Sequence, residues 1–260
     1  MRKQLLCIIC LLVQFMFLIA QRSYQLAPPF AVYNSAFFEK STQLKLEFRQ
    51  PGGAIHFTTD GTEPTEQSAI YKKPIEIKGQ YSVVKARCFA NGFLASETTT
   101  LQFFGSGIPM EVISTSPPNE KYKGSGSRAL MDNQSGSTQP GHLAWLGFDS
   151  DSIIIDLGLK KVELISKLML HILHNQPAWI FPPQRIRVLN LAAKENTVLA
   201  DQNMETVQQA SSEANALFLA IPPVHTQSLR LVLYPLASLP SWHTGSGSKA
   251  WLFIDEIKLY

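Results

Sequence analysis

The sequence is poor in charge and in cysteine. Charged residues make up 17% of its 260 positions, and the formal net charge is +3. A nearly neutral chain lacks the basic surface that binds nucleic acid or anionic membranes, so neither partner is predicted. Of the three cysteines, Cys7 and Cys10 lie in an apolar N-terminal run and Cys88 stands apart. We therefore predict no intramolecular disulfide and a buried, inert thiol at Cys88.

Helical periodicity is almost absent from the sequence. Apolar and polar residues alternate instead, as in Leu44 to Phe48, Arg185 to Asn190 and Leu229 to Leu233. A period of two is typical of strands that bury one face. Sixteen prolines and fifteen glycines interrupt these runs, which favours β-sandwiches over α/β folds. The sequence therefore predicts an all-β protein.

The first twenty residues have the pattern of an export signal. Arg2 and Lys3 precede an apolar run from Leu5 to Ile19, and Ala20 is a small residue suited to cleavage. A membrane anchor is the alternative, because about 17 apolar residues can just span a bilayer. We predict a signal peptide at residues 1–20, a secreted protein and no membrane span after cleavage.

Small, flexible residues at Gly105-Ser106-Gly107 interrupt the strand pattern and predict a boundary between two domains. The first domain is predicted at residues 26–104 and the second at residues 108–260. Both lengths suit single β domains.

The first domain carries a characteristic series of turn and strand motifs. Thr58-Thr59-Asp60-Gly61-Thr62-Glu63-Pro64-Thr65 is followed by Tyr71, Pro74-Ile75 and the strand Val83 to Phe89. This order resembles the chitobiase/β-hexosaminidase C-terminal domain over about residues 28–104. The resemblance implies a small immunoglobulin-like sandwich that acts as a spacer or packing module. We interpret Asp60 and Glu63 as turn residues, not as an acid/base pair or a metal site.

The second domain carries a different set of motifs, namely Ala129-Leu130-Met131-Asp132, Trp145-Leu146-Gly147-Phe148, Ile153 to Gly158 and Asp255-Glu256-Ile257. They resemble a discoidin, or coagulation-factor type C, domain over about residues 108–260. The family implies a galactose-binding-like jelly-roll β-sandwich, in the form appended to β-hexosaminidases of Bacteroidetes bacteria. This implies the periplasm or cell surface of a Gram-negative bacterium. The sequence departs from the family at Asn133, where glycine is usual.

The discoidin resemblance implies ligand binding by loops at one end of the sandwich, most often to a sugar. Sugar binding needs an exposed aromatic face and planar polar groups. Residues of both types in predicted loops make the candidate ligand-binding set Trp242, His243, His142, Trp179 and His174. Packing in the core or in a seam between domains is the alternative for each of them. Trp145 and Trp251 flank apolar strand residues and are predicted to lie in the core.

A structural Ca²⁺ ion is also implied by the discoidin resemblance. The family's ligands carry over to Asp132, the main-chain carbonyl of Ala129, and Glu256 in the last strand. Carboxylate and carbonyl oxygens suit this hard cation. The spacing of the loop from Asn133 to Gly141 is unusual for the family, so the remaining ligands are not assigned.

Motifs of catalysis are missing. The sequence has no G-x-S-x-G, H-E-x-x-H or P-loop motif, and no alternation of strands and helices typical of a (β/α)₈ barrel. β-Hexosaminidases use an adjacent Asp-Glu pair, and Asp255-Glu256 is such a pair. Neighbours on a strand point to opposite faces, so we expect these two carboxyls not to converge. The prediction is that the protein is not an enzyme.

Three functions follow from these observations. The first is a secreted, non-catalytic carbohydrate-binding protein that recognises glycans of the terminal galactose or N-acetylhexosamine type. The second is a structural or protein-interaction module that partners a separate glycoside hydrolase. The third is an unrecognised enzyme. The first is preferred, because the loop residues Trp242 and His243 offer an aromatic face and a polar ring together.

Overall fold

The computed structural model describes residues 24–193, 197–205 and 212–260. The expected signal peptide at residues 1–20 lies outside these ranges. In the described part of the chain, no helix is long and apolar enough to cross a membrane. Two compact units are present. The first contains residues 24–34 and Thr42–Phe103, and the second contains Ser35–Ser41 and Phe104–Tyr260.

The first unit consists of two sheets. One has the order β1-β2-β5 and the other the order β4-β3-β6-β7. The strands are β1 (Phe30–Val32), β2 (Thr42–Glu47), β3 (Gly53–Thr58), β4 (Ala69–Ile70), β5 (Ile75–Ile77), β6 (Tyr81–Ala90) and β7 (Thr99–Phe104). Alternate residues of β6, namely Val84, Ala86 and Cys88, are fully buried. Burial raises the pKa of the Cys88 thiol to about 11, which agrees with the expected inert cysteine.

The Asp60 turn has the geometry expected of a structural turn. The Asp60 carboxylate accepts hydrogen bonds from the Thr62 amide at 3.0 Å and the Thr62 hydroxyl at 2.7 Å. Gly61 has a φ of 81°, a conformation that favours glycine. The Glu63 carboxylate instead pairs with Lys85 and Thr98. Asp60 and Glu63 therefore have separate structural partners.

The second unit is built on one seven-stranded sheet with the order β12-β11-β13-β10-β14-β9, in which β8 also pairs with β10. The strands are β8 (Met110–Thr115), β9 (Leu146–Phe148), β10 (Ile153–Asn175), β11 (Arg185–Asn190), β12 (Thr197–Asn203), β13 (Ser212–Tyr234) and β14 (Leu252–Leu259). Three short 3₁₀ helices span Glu120–Tyr122, Gly126–Leu130 and Gln176–Ala178. The described residues contain no α-helix, so the all-β prediction is confirmed.

Strand β10 organises the second unit. It pairs with β13 along almost its whole length, with β8 from Ile155 to Leu159, and with β14 from Leu168 to Leu173. Shifts in the β10–β13 register lie between the part of β10 that pairs with β8 and the part that pairs with β14. Because β10 exchanges β8 for β14 across these irregularities, a single sheet can curve around the core. The apolar face of β10 joins that core through residues such as Leu157, Leu170 and Ile172.

The segment Ser35–Ser41 packs with the second unit, although it falls within the range predicted for the first domain. Phe37 is buried against Phe104 and Met169, and the backbone of Phe38 donates to the Phe104 carbonyl at 3.0 Å. Met169 lies on the face of β10 opposite to the main core. The segment therefore covers that face, an arrangement that period-two analysis of the strands alone does not reveal.

An ion pair links β10 to β13 and generates a pH-dependent prediction. Asp156 and Arg230 are cross-strand partners joined by two hydrogen bonds, at 2.7 and 2.9 Å. Arg230 lowers the pKa of Asp156, which also accepts from Ser114. A lowered carboxyl pKa stabilises the folded state fully above the unfolded-state pKa of about 4. This stabilisation is lost as pH falls through the lower folded-state pKa.

We expect Asp156→Asn to lower the free energy of unfolding at neutral pH by about 1 kcal/mol. The difference from wild type should shrink below about pH 4, because the wild-type carboxyl then becomes protonated. Urea unfolding at a series of pH values measures both effects. The control is Asp151→Asn, since the Asp151 side chain is 93% exposed although paired with Lys249. A difference that stays constant into strong acid would contradict the assigned pair.

Candidate functional site

Three loops of the second unit meet where β10 ends, and we call this region the loop end. The loops cover residues 131–145, 176–184 and 235–251. The Phe181 amide donates to the Trp251 carbonyl at 3.0 Å, and the Trp251 amide donates to the Trp179 carbonyl at 2.8 Å. The Asn175 side chain donates to the Thr138 carbonyl at 3.3 Å, which adds the third loop. Main-chain and side-chain hydrogen bonds therefore hold the loop end together.

Two tryptophans are partly exposed at the loop end. Trp179 is 39% exposed and Trp242 is 44% exposed. Trp179 ends the 3₁₀ helix with a φ of 64°, a conformation that few non-glycine residues adopt. Its indole lies so close to Gly245 that a Cβ added there would be 2.8 Å from the ring. The exposed rings are thus placed by tight local packing.

His243 lies against Trp242, with ring centroids 5.8 Å apart, and is only 9% exposed. Its Nδ1 accepts the Gly245 amide hydrogen at 3.0 Å, which assigns the ring hydrogen to Nε2. Nε2 then donates to the Gln176 carbonyl at 3.0 Å. The imidazole therefore connects the loop at residues 176–184 to the loop at residues 235–251. His243 is thus buried between two loops of the second unit, and not exposed at the surface.

Phe181 is the centre of this aromatic group, although it is not among the residues predicted from the sequence. It is buried, and its ring centroid lies 5.6 Å from those of both His174 and His243 and 6.4 Å from that of Trp242. The run of aromatic and proline residues around it was the available signal. Such a run alone does not show whether an aromatic residue is buried and supports the loop, or is exposed and contacts a ligand.

The remaining predicted residues divide between surface and interior. His142 is exposed, and its Nδ1 accepts the Ala144 amide hydrogen at 3.3 Å. His174 is buried, and burial lowers its pKa while Glu213 opposes that shift. Trp145 is buried, which confirms its predicted place in the core. Trp251 was predicted there too but is only half-buried, at the edge of the cluster beside Tyr122 and Phe253. The exposed members of the candidate set are thus Trp242, Trp179 and His142.

The residues implied for a calcium site form a different arrangement. Glu256 is 1% exposed, and its Oε2 accepts the Asn133 amide hydrogen at 2.8 Å. The Lys258 ammonium lies 3.4 Å from the other carboxylate oxygen and donates to the Asn133 side-chain oxygen at 2.7 Å. Ala129 is buried in the main core. The Asp132 carboxylate accepts the Gln134 amide hydrogen at 2.9 Å, as in a turn.

These residues do not fit a divalent cation. A lysine ammonium already lies beside the Glu256 carboxylate, and a second cation there would be repelled by it. Among residues 24–193, 197–205 and 212–260, no group of three or more His, Cys, Asp or Glu residues could hold a metal ion. Lys258 is absent from the implied ligand set, because that set contains carboxylates and a carbonyl and no cationic side chain.

The expectation that Asp255 and Glu256 point to opposite faces was wrong. Asp255 accepts the Gly136 amide hydrogen at 2.6 Å, so both carboxyls contact the loop at residues 131–145. The cause is a β-bulge, since Glu256 pairs with His171 and Ile254 pairs with Ile172, leaving Asp255 as an extra residue. Both carboxyls are nevertheless buried, with exposures of 0% for Asp255 and 1% for Glu256.

Burial dominates the chemistry of this carboxyl pair. It raises the pKa of Asp255 and raises that of Glu256 to about 7, while His171 and Lys258 respectively oppose the two shifts. His171 Nδ1 lies 2.6 Å from the Asp255 carboxylate. The imidazole ring is stacked on Trp145 with a centroid distance of 5.8 Å. This network ties the loop to β10 and β14 and has the form of a structural support.

One known family model matches part of the chain. Residues 33–103 match the family model of the chitobiase/beta-hexosaminidase C-terminal domain. The match confirms the first predicted resemblance and covers less than half of the chain. No curated protein matches the chain in sequence.

Several solved structures are similar to part of the chain. CpGH89CBM32-5 from Clostridium perfringens, solved in complex with GalNAc-β-1,3-galactose, is 13% identical, with a TM-score of 0.40 and coverage of 60% of this chain and 99% of that one. The C-terminal domain of a chitobiase from Bacteroides fragilis is 15% identical, with a TM-score of 0.38 and coverage of 60% and 95%. The family 32 carbohydrate-binding module of Streptococcus pneumoniae EndoD is 11% identical, with a TM-score of 0.36 and coverage of 59% and 96%.

The tight packing of the loop at residues 131–145 yields a stability prediction. A Cβ added at Gly136 would overlap the Trp145 indole, whose Nε1 donates to the Ser137 carbonyl at 2.8 Å. We expect Gly136→Ala to lower the free energy of unfolding by about 1–3 kcal/mol, because the ring and backbone must shift. Urea unfolding monitored by tryptophan fluorescence measures the change. Gly141→Ala in the same loop is the control, since nothing lies within 4 Å of its added Cβ. Equal effects of the two substitutions would refute the packing argument.

Proposed function

We propose that the protein is a secreted, non-catalytic carbohydrate-binding protein and that it binds glycan at the loop end of the second unit. The observation that carries this proposal is the pair of partly exposed indoles, Trp179 and Trp242, on loops joined by hydrogen bonds. The apolar face of a pyranose packs favourably against an indole ring. The discoidin resemblance, which implies loop-end binding of sugars, supports the same region.

Polar groups suited to sugar hydroxyls surround the two indoles. Ser241, Thr244 and Ser246 are exposed in the loop that bears Trp242, and His142 is exposed in a neighbouring loop. A hydroxyl can donate and accept hydrogen bonds, as a sugar hydroxyl can. These residues are the proposed polar contacts beside the aromatic platform.

The charge of the loop end favours a neutral ligand. Asp132 and Lys249 are the only charged residues in the sequences of the three loops. Lys249 is paired with Asp151 at 2.6 Å, and Asp132 holds its own turn. A surface with so little free charge suits an uncharged glycan, and we propose the terminal galactose or N-acetylhexosamine type.

His243 and His174 are proposed as positioning residues and not as contacts. Both are buried, and both lie against Phe181 beneath the exposed rings. A site that is already ordered before binding loses less conformational entropy when the ligand arrives. In this proposal the buried histidines contribute to affinity by holding Phe181, against which Trp242 packs, in place.

A second function is favoured by the family match of residues 33–103. A domain of this type suits a structural role beside a glycoside hydrolase, with the hydrolase encoded separately. In that alternative the partner is a protein surface and no glycan binds to the isolated chain. The two functions therefore differ in a direct binding measurement.

The binding test compares Trp242→Ala and Trp179→Ala with the wild type on a glycan array and in affinity gels. We expect each substitution to lower affinity roughly tenfold or more, since aromatic anchors contribute most of the binding energy in such sites. Phe218→Ala is the matched control, because Phe218 is a partly exposed aromatic residue on strand β13, outside the loops. It should bind as the wild type does. Undiminished binding after both tryptophan substitutions would exclude the site, and no binding by the wild type would favour the second function.

The non-catalytic part of the proposal has its own test. We expect no hydrolysis of a nitrophenyl N-acetylglucosaminide by the pure protein, because the adjacent carboxyls Asp255 and Glu256 are buried and bonded to backbone amides. Release of nitrophenol is followed by absorbance. Hydrolysis that persists through repeated purification and is lost in Asp255→Asn would show that this proposal is wrong.

A further inference from the structure

Lys258 is a buried cation in the second unit. It lies on β14 and is only 6% exposed, although lysine is rarely buried unless it is paired. It is two residues from Glu256 on the same strand, and the two side chains are paired. Nothing in the proposed glycan site uses this lysine, so its burial calls for a separate explanation.

Three groups surround the Lys258 ammonium. Its Nζ lies 2.7 Å from the Asn133 side-chain oxygen and 3.4 Å from the Glu256 carboxylate. The ring centroid of Phe37 lies 5.3 Å from the same nitrogen, within the range of a cation–π interaction. An amide oxygen, a carboxylate oxygen and an aromatic face therefore stabilise one positive charge.

The same contacts fix the turn at Asn133. Glu256 accepts the Asn133 amide hydrogen at 2.8 Å while Lys258 binds the Asn133 side chain. The Asn133 carbonyl accepts from the Ser35 hydroxyl at 3.1 Å. Asn133 has a φ of 61°, a left-handed conformation that needs support in a residue other than glycine. The loop at residues 131–145 is thus fastened to β14 at both the backbone and the side chain of one residue.

The charges at this position balance without a metal ion. Glu256 faces the Lys258 ammonium, and Asp255 faces His171 and the Gly136 amide. A divalent cation near Glu256 would lie a few ångströms from the ammonium, and like charges at that distance repel strongly in a buried site. The Lys258 ammonium therefore already occupies the side-chain oxygen atoms of Asn133 and Glu256 that a metal ion would need.

We propose that the Lys258 ammonium takes the place of the Ca²⁺ ion that the discoidin resemblance implies at this position, so that the loop at residues 131–145 is held without a metal. The ammonium belongs to a side chain of the protein, so it cannot leave the site as a bound metal ion can. The loop end would then keep its conformation in calcium-free surroundings. This inference does not depend on glycan binding, because it concerns only the support of the loop.

The first experiment uses the wild-type chain. Its thermal midpoint is measured after treatment with EDTA and again in millimolar CaCl₂. We expect a change of less than about 1 °C. A bound ion at about 100 times its Kd would instead raise the midpoint by roughly 5 °C or more. Such an increase would overturn the proposal.

The second experiment removes the charge with Lys258→Met, which keeps most of the side-chain volume. We expect the midpoint to fall by about 6 °C or more, because the buried Glu256 carboxyl loses the cation beside it and must either stay charged without compensation or take up a proton. Lys167→Met is the matched control, since Lys167 is exposed and lies 5.9 Å from the Phe218 ring centroid. A midpoint of Lys258→Met equal to that of the control would overturn the proposal.

A double variant separates lost charge balance from lost packing. Glu256→Gln/Lys258→Met should melt above Lys258→Met, because the carboxylate that lacked a partner is also removed. A double variant that melts at or below the single variant would show that the two charges do not compensate each other. If neither variant folds, the calcium measurement on the wild type still decides the proposal.

Discussion

The second unit depends on the long antiparallel pairing of β10 with β13. This pairing extends along β10 to Asn175, and β8 and β14 occupy successive parts of the other edge of β10. The buried backbone groups of a central strand need hydrogen-bond partners in neighbouring strands. Loops without regular pairing can therefore begin only where β10 ends. The loops at residues 131–145, 176–184 and 235–251 therefore meet at one place. The position of the candidate site is a consequence of strand pairing.

The second determinant is the bulge in β14. It directs Asp255 and Glu256 to one loop, where they accept the amide hydrogens of Gly136 and Asn133. Buried carboxyls are costly unless they are hydrogen-bonded or paired. Loop conformations that break these bonds are therefore disfavoured, so the two carboxyls help to select one conformation of the loop. His171 and Lys258 complete the pairing on either side. A pair that resembles a catalytic motif in the sequence thus serves to hold a loop against a sheet.

The all-β fold could be predicted because alternation in segments such as Leu44 to Phe48 reports directly on one buried face. The site could be predicted only in part. Trp242 and Trp179 were identified by composition and loop context, whereas the burial of His243 depends on a carbonyl contributed by Gln176, far away in the sequence. The role of Lys258 depends on Asn133 in the same way. Period-two analysis carries no information on contacts of this kind, because they are set by the tertiary approach of separate loops.

Exposed aromatic residues at the loop end differ in kind from those elsewhere on the second unit. Phe218 lies within β13, where its neighbours include Phe104 at 6.2 Å, and it covers part of a sheet face. Trp179 and Trp242 belong to no strand, yet they are held by Gly245, Phe181 and the hydrogen bonds of His243. Maintaining a large apolar side chain at the surface offers no folding advantage, because burial would release more water. Two such rings, supported from below by the buried Phe181 and His243, are what the proposed glycan-binding surface requires.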